Sequence, residues 1–295
     1  MTKIGFIGQG WIGKHYADDF EERLYDVVRY ALEEPYVQNK DAIRECDIVF
    51  VAVPTPTTED GFDYSPVSDA LTNIKPGATV VIKSTLRPGT TEALQTAFPE
   101  LYVMHSPEFL RESMAAYDAA HPDRNLIGIP EDTEVFRERA VSVLKVLPEA
   151  PYDQIMSAKE AEIVKYAGNC FLTTKVLFMN LLYDLVKHSD ADWTTVREAM
   201  INDPRIGASH TEPVHASGHH DTKDTKTLRG AGGHCFIKDF EAFRALHHET
   251  VGDATADEVL KTLTEFNIKL LNDSGKDLDL LQGVFGTDLS VIDYN

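Results

Sequence analysis

The run KIGFI (residues 3–7) is followed at once by GQGWIG (8–13), and that junction limits the fold more than any other part of the chain. A short apolar run that ends in spaced glycines and opens into a helical pattern reads as a strand–turn–helix unit with its helix N-terminus turned toward an anion. Gly8 permits the tight turn, and Gly10 lets the backbone approach a pyrophosphate; Gly13 completes the spacing. Glu33, twenty residues beyond Gly13 at the end of the next expected strand, is the candidate for the ribose hydroxyls. The bland alternative is a glycine-rich turn with no ligand. Because the strand ends YALEE, NADP stays open beside NAD as the cofactor.

Further short apolar runs follow: VVRYAL (27–32), DIVFVAV (47–53), ATVVIKS (78–84), LYVMHS (101–106) and NLIGI (125–129), with helical patterns such as SPVSDALTNI and GTTEALQTAF between several of them. That alternation predicts an α/β fold, a Rossmann-like doubly wound parallel sheet, closed by a helix over 131–147. After about residue 150 the pattern turns helical. One long helix is expected over 157–188, opened by a Ser157/Glu160 capping box, then helices near 192–201, 236–250 and 254–272. The stretch 207–231 reads as an exposed, His-rich loop, and nothing after Asn272 has a clear pattern. The expected division is 1–150 for dinucleotide binding, 151–252 for a helical domain, which the family likeness described below makes the dimerisation and catalytic domain, and 253–295 for a C-terminal helical tail.

The chain has 295 residues and a formal charge of −20, which disfavours nucleic acid and anionic membrane surfaces as partners. The start shows no signal-peptide pattern and no apolar run approaches a membrane span, so a cytoplasmic protein is expected. Three cysteines, Cys46, Cys170 and Cys235, suit free thiols rather than a disulfide framework. The loop histidines, including His210, His215, His219, His220 and His234, match no compact ligand spacing, so no metal is expected.

Cys235 stands in GGHCFIKD behind Gly230, Gly232 and Gly233. A helix is expected to start just after it, and a thiol at a helix N-terminus is acidified by exposed amides; Lys238 adds to that effect, and Asp239 falls on the same helical face. A thiolate near a dinucleotide suits aldehyde oxidation through a thiohemiacetal. Lys165 and Asn169 share one face of the long helix, among Ile163, Ala167, Phe171, Leu177 and Leu181, which read as core; Cys170 reads as packing. Glu108 and Glu112 in SPEFLRE, and Thr85 in KSTLRPGTT, follow expected strands on the edge where ligands bind in such sheets. Each also has a plain reading, as a helix cap or a turn.

In order, GQGWIG, VAVPTPT, KSTLRPGTT, HSPEFLRE, HPDRNLIGIP, EIVKYAGNCFLTTKVLFMN, NDPRIG and GGHCFIKD resemble the UDP-glucose/GDP-mannose dehydrogenase family over residues 5 to about 245. The resemblance implies NAD-dependent four-electron oxidation of a nucleotide sugar C6 alcohol to the carboxylate, in a homodimer built around the long helix. By that likeness Cys235 is the nucleophile, Lys165 stabilises the oxyanion, and Asn169 positions substrate. Asp239 assists proton transfer and orients water, Glu112 is the base for thioester hydrolysis, and Thr85 holds a water or the reacting oxygen. Glu108, Gly232 and Arg205 contact substrate, Arg205 across the dimer interface. Pro54, Thr55, Thr85 and Lys238 join Gly8, Gly10, Gly13 and Glu33 at the cofactor.

Three features depart from the family pattern: a chain ending where a nucleotide-binding third domain is expected, a longer His-rich loop, and Ala31 where an aspartate is common. UDP-glucose is the preferred substrate. The competing readings are another nucleotide-sugar 6-dehydrogenase such as a GDP-mannose enzyme, a two-domain hydroxy-acid dehydrogenase, and a non-catalytic binding module.

Overall fold

The structure is a computed structural model that describes residues 2–58, 61–216, 218–220 and 225–286; within these the side chains of Thr58 and Glu112 are not described. The described residues up to Pro56, with Asp63–Lys165, form one compact unit; the described residues within 57–62 and from Tyr166 onward form a second.

The first unit is built on β1 (Ile4–Ile7), β2 (Val27–Tyr30), β3 (Ile48–Val51), β6 (Thr79–Ile82), β7 (Tyr102–His105), β8 (Asn125–Ile129) and β9 (Asp153–Ser157), while β4 (Thr57–Thr58) and β5 (Gly61–Phe62) form a small hairpin belonging to the second unit. The sheet order is β2-β1-β3-β6-β7-β8-β9. The first five strands are parallel in continuous register, for example Ile4 opposite both Val27 and Ile48. The order reverses on either side of β1, which makes the carboxyl ends of β1 and β3 the switch point where ligands bind in open α/β sheets. The doubly wound sheet is therefore present, but it is not wholly parallel. β8 runs antiparallel to β7, and β9 runs with β8. The connection from β7 to β8 carries a 3₁₀ turn at Glu112–Met114 and α5 (Ala115–Ala120).

The inner strands are buried because helices cover both faces: α1 (Trp11–Glu22), α2 (Lys40–Ile43), α3 (Ser65–Leu71), α4 (Thr90–Ala97) and α6 (Glu134–Val146). Phe6, Phe20 and Phe50 meet with ring centroids 5.0–5.3 Å apart, tying α1 to β1 and β3. Such contacts add roughly 0.5–1.5 kcal/mol per pair beyond the area they bury.

α7 (Ala158–His188) carries the chain from the first unit into the second. Its capping box is present: Ser157 N–H donates to Glu160 Oε2 at 2.8 Å, and Glu160 N–H donates to Ser157 Oγ at 3.3 Å. The second unit adds α8 (Trp193–Ile201), α9 (Gly233–Thr250), α10 (Ala254–Ser274) and α11 (Leu278–Phe285). α9, α10 and α11 share a core of Ile237, Ile268, Leu271 and Leu281. Residues 207–231 are an irregular stretch that is exposed only in part, because Thr211, Leu228 and Ala231 are buried; residues 217 and 221–224 lie outside the described set. Among the described residues no helix is long and apolar enough to cross a membrane.

Candidate active site

The glycine turn after β1 has the geometry a dinucleotide needs. Gly8 has φ +91°, and a Cβ there would lie 2.3 Å from the Ala52 carbonyl oxygen. A Cβ on Gly13 would lie 1.9 Å from the Gly8 oxygen, so helix and strand meet backbone to backbone. Gly10 differs: nothing lies within 4 Å of its Cβ position, it is the N-cap of α1, and no side chain caps that terminus. The open space and uncapped amides fit a pyrophosphate. β2 ends at Tyr30, earlier than the run VVRYAL suggested, and Glu33 stands exposed three residues beyond the strand.

Pro54 and Thr55 follow β3, and Thr85 follows β6. Thr55 Oγ1 donates to the Thr85 carbonyl at 2.8 Å, and Ser84 Oγ donates to the Val53 carbonyl at 2.7 Å, so the two loops are laced together. Glu108 follows β7 in irregular chain, not in a helix. It is buried against Lys165: Lys165 Nζ donates to Glu108 Oε1 at 2.6 Å and to its carbonyl at 2.8 Å, with both side chains 4% exposed. Removing either partner would leave the other as an uncompensated buried charge. The Glu112 side chain lies outside the described residues.

Sequence reasoning passed over three buried groups beside Glu108. Lys83 Nζ donates to Ser106 Oγ at 2.9 Å and lies 4.5 Å from the centre of the Tyr16 ring. Burial, only partly opposed by Glu108, lowers its pKa to about 7. His105 is wholly buried with neither ring nitrogen hydrogen-bonded, and burial, with Lys83 nearby, lowers its pKa to about 3. Tyr16 is pushed well above the phenol range by burial. The signal was a lysine and a histidine in the last residues of apolar strand runs.

In the second unit Cys235 sits inside the first turn of α9, which begins at Gly233, before the cysteine rather than after it. Asp239, one turn on, is 1% exposed; its Oδ2 accepts from Asn169 Nδ2 at 2.6 Å and its Oδ1 from Lys238 Nζ at 2.5 Å. Asn169, Asp239 and Lys238 thus form one group, and Lys238 is held on Asp239. Burial raises the pKa of Cys46 to about 11 and that of Cys170 higher still, so Cys235 is the half-exposed thiol of the three. Arg205 is 86% exposed and paired with Asp203 at 2.5 Å. Ile163, Phe171 and Leu181, expected in the core, are exposed on α7, as is Ala167, whereas Leu177 is wholly buried. A buried helix flank is decided by which neighbours arrive, and its other flank can stay equally apolar. Among the described residues no group of three or more His, Cys, Asp or Glu converges to hold a metal.

A switch-point glycine turn at the carboxyl edge of an α/β sheet, with an uncapped helix N-terminus behind it, defines a dinucleotide-binding protein. Residues 20–146 match the NAD-binding domain, and 159–268 the central domain, of the UDP-glucose/GDP-mannose dehydrogenase family. The chain belongs to that family, and NAD is its cofactor. It is 32% identical over 217 residues to a putative UDP-glucose 6-dehydrogenase of Bacillus subtilis, covering 70% of this chain and 47% of that protein, so it spans about half the relative's length. A UDP-glucose dehydrogenase structure from Pyrobaculum islandicum superposes with a TM-score of 0.73 at 29% identity, covering 90% of this chain and 68% of that one. At the level of fold alone, Mycobacterium tuberculosis 3-hydroxyisobutyrate dehydrogenase superposes with a TM-score of 0.68 at 15% identity, over 96% of this chain and 98% of that one.

Proposed function

We propose that the protein oxidises the C6 alcohol of a nucleotide sugar, UDP-glucose foremost, to the carboxylate through a covalent cysteine intermediate. NAD when bound supplies the hydride acceptor, one per oxidation and two per product. The first oxidation takes a hydride from C6 and a proton from its hydroxyl and leaves an aldehyde. Cys235 adds to the aldehyde carbon as a thiohemiacetal, loss of a second hydride gives a thioester, and water releases the carboxylate and restores the thiol. Lys165 moves from Glu108 toward the oxyanion as charge develops there. Asn169 positions substrate, Asp239 orients the hydrolytic water, and Glu112 acts as the base. Thr85 holds the reacting oxygen, and Glu108 and Gly232 contact the sugar nucleotide. Glu33 takes the ribose hydroxyls, with Pro54, Thr55 and Lys238 beside the cofactor. The protein acts as a homodimer in which Arg205 reaches the partner's substrate.

The observation that carries this reading is Cys235 in the first turn of α9 with the buried, doubly hydrogen-bonded Asp239 one turn behind it. Simple alcohol oxidation uses no thiol. The test counts NADH against acid formed from UDP-glucose. Two NADH per acid in the wild type, with Cys235→Ala forming no acid while still binding NAD, supports the mechanism. Acid formation by Cys235→Ala at the wild-type rate overturns it. The fold shared with 3-hydroxyisobutyrate dehydrogenase favours a second reading, oxidation of a small hydroxy acid. In that case one NADH forms per turnover, no acid is made from UDP-glucose, and Cys235→Ala keeps full activity.

A further inference from the structure

Asp277 lies between α10 and α11, beyond the 159–268 stretch that matches the family's central domain. It is wholly buried and has φ +55°, a left-handed conformation that costs a non-glycine residue on the order of 1 kcal/mol. Its carboxylate divides between two segments. Oδ1 accepts from the His219 amide at 2.6 Å, and Oδ2 accepts from the Gly233 amide at 2.9 Å. Its own N–H donates to the His219 carbonyl at 2.7 Å. Gly233 is the first residue of α9 and Gly232 is its N-cap, which has no side chain to satisfy an end amide. Asp277 supplies that acceptor from elsewhere in the chain.

The surrounding glycines are explained by the same carboxylate. A Cβ on Gly232 would sit 1.8 Å from Asp277 Oδ2, and one on Gly218 would sit 2.3 Å from it. The neighbouring residues are pinned as well: Asn267 both donates to and accepts from Ala231, at 2.9 and 2.8 Å, and the buried Lys276 Nζ lies 3.3 Å from the Gly230 carbonyl and 2.9 Å from His215 Nε2.

We infer that Asp277 is the positioning residue of the nucleophile: its carboxylate caps α9 from outside, fixes the turn that presents Cys235, and offsets part of the positive end of that helix. This rests on the reading of Cys235 as the nucleophile. A negative charge on the first-turn amide of α9 opposes ionisation of a thiol in the same turn. The other titratable groups around it are Lys276 with His215, His219 with Asp279, His234 against the His219 ring, and Lys238 with Asp239 on α9 itself.

The test follows alkylation of Cys235 by iodoacetamide against pH in the full chain, with mass mapping to separate it from Cys46 and Cys170. Asp277→Asn removes the charge and sets an amide NH₂ against one of two backbone N–H groups. The expected result is a midpoint lower by about half to one pH unit, hence roughly three- to tenfold faster alkylation below it, with a lower kcat on UDP-glucose. A more reactive but less productive thiol is not what simple loosening gives, since that would expose all three cysteines together. Asp279→Asn, an exposed carboxylate paired with His219, is expected to leave the midpoint in place. A folded Asp277→Asn with the wild-type profile overturns the assignment. Should that variant fail to fold, amide exchange in the wild type decides: slow exchange at Gly233 and His219 supports the clamp, and exchange as fast as in an open loop overturns it. Alkylation needs no substrate, so a shifted midpoint without turnover would remove the nucleotide-sugar reading and leave Asp277 its role.

Discussion

Lys83 is a buried amine just beyond the end of β6, and its chemistry predicts a pH dependence with a definite sign. Its pKa falls from 10.5 to about 7 on folding, chiefly by burial. Between those values the unfolded chain holds a proton that the folded chain does not, so stability rises with pH across that window, by at most about 1.4 kcal/mol per pH unit. Below about 7 the cost is fully present. His105 acts in the same sense lower down, between about 3 and 6.5, because burial depresses its pKa too. Lys83→Met removes the upper step and strands the Ser106 hydroxyl, a loss that does not depend on pH. Melting temperatures from about pH 6 to 10 are therefore expected to climb less steeply in Lys83→Met than in the wild type. Parallel curves would show that Lys83 is solvated or stays charged in the folded protein.

The turn between β1 and α1 separates two glycine functions that the pattern GQGWIG cannot distinguish. Gly13 is needed for the fold, because its Cβ would strike the Gly8 oxygen at 1.9 Å; Gly10 has open space and φ −71°, which any residue adopts. Gly10→Ala is expected to keep the wild-type melt while weakening NAD at least about tenfold, because the methyl occupies the space offered to the pyrophosphate. Gly13→Ala is expected to lose stability by more than about 2 kcal/mol, as overpacking against backbone does. Calorimetric NAD titration beside thermal melts checks both, and equal NAD affinity in Gly10→Ala would sink the cradle. Elements whose pattern announces burial were legible: the apolar strands, the capping box at Ser157 and Glu160, and the long helix behind it. β9 was not, since DQIMS is an edge strand whose residues are half-buried or exposed and shows no apolar run. Nor was the reversal of β8, because strand direction leaves no mark in composition. α11 was missed because LDLLQGVF contains a glycine and follows a left-handed turn at Gly275 and Asp277. At the candidate site, the motif-bearing residues stand out in the sequence by their spacing, whereas Lys83, His105 and Asp277 are defined by contacts distant in sequence.

The same contrast governs the surface of α7, where Phe171 and Leu181, read as core, stand in solvent. Phe171, Phe178 and Leu185 recur every seven residues, with Leu181 between, and are 68%, 55%, 64% and 53% exposed respectively. A heptad stripe of aromatic and aliphatic side chains on a 31-residue helix is the surface one would expect to pack against a second copy of itself. This supports the proposed homodimer, and it gives the exposed Arg205 a reason to be exposed. Two chains each of formal charge −20 repel, so the stripe must supply the association and salt must help it. The wild type is therefore expected to sediment as a dimer that tightens as ionic strength rises. Phe178→Glu with Leu185→Glu is expected to weaken the dimer roughly a hundredfold or more, while leaving the melting temperature of the dilute chain unchanged, because both side chains already face solvent in a single chain. If Arg205 completes the partner's site, the double variant also loses turnover, and activity returns toward wild type only at protein concentrations that restore the dimer. A wild type that sediments as a monomer at every concentration and salt would leave the stripe without this role and Arg205 without a partner.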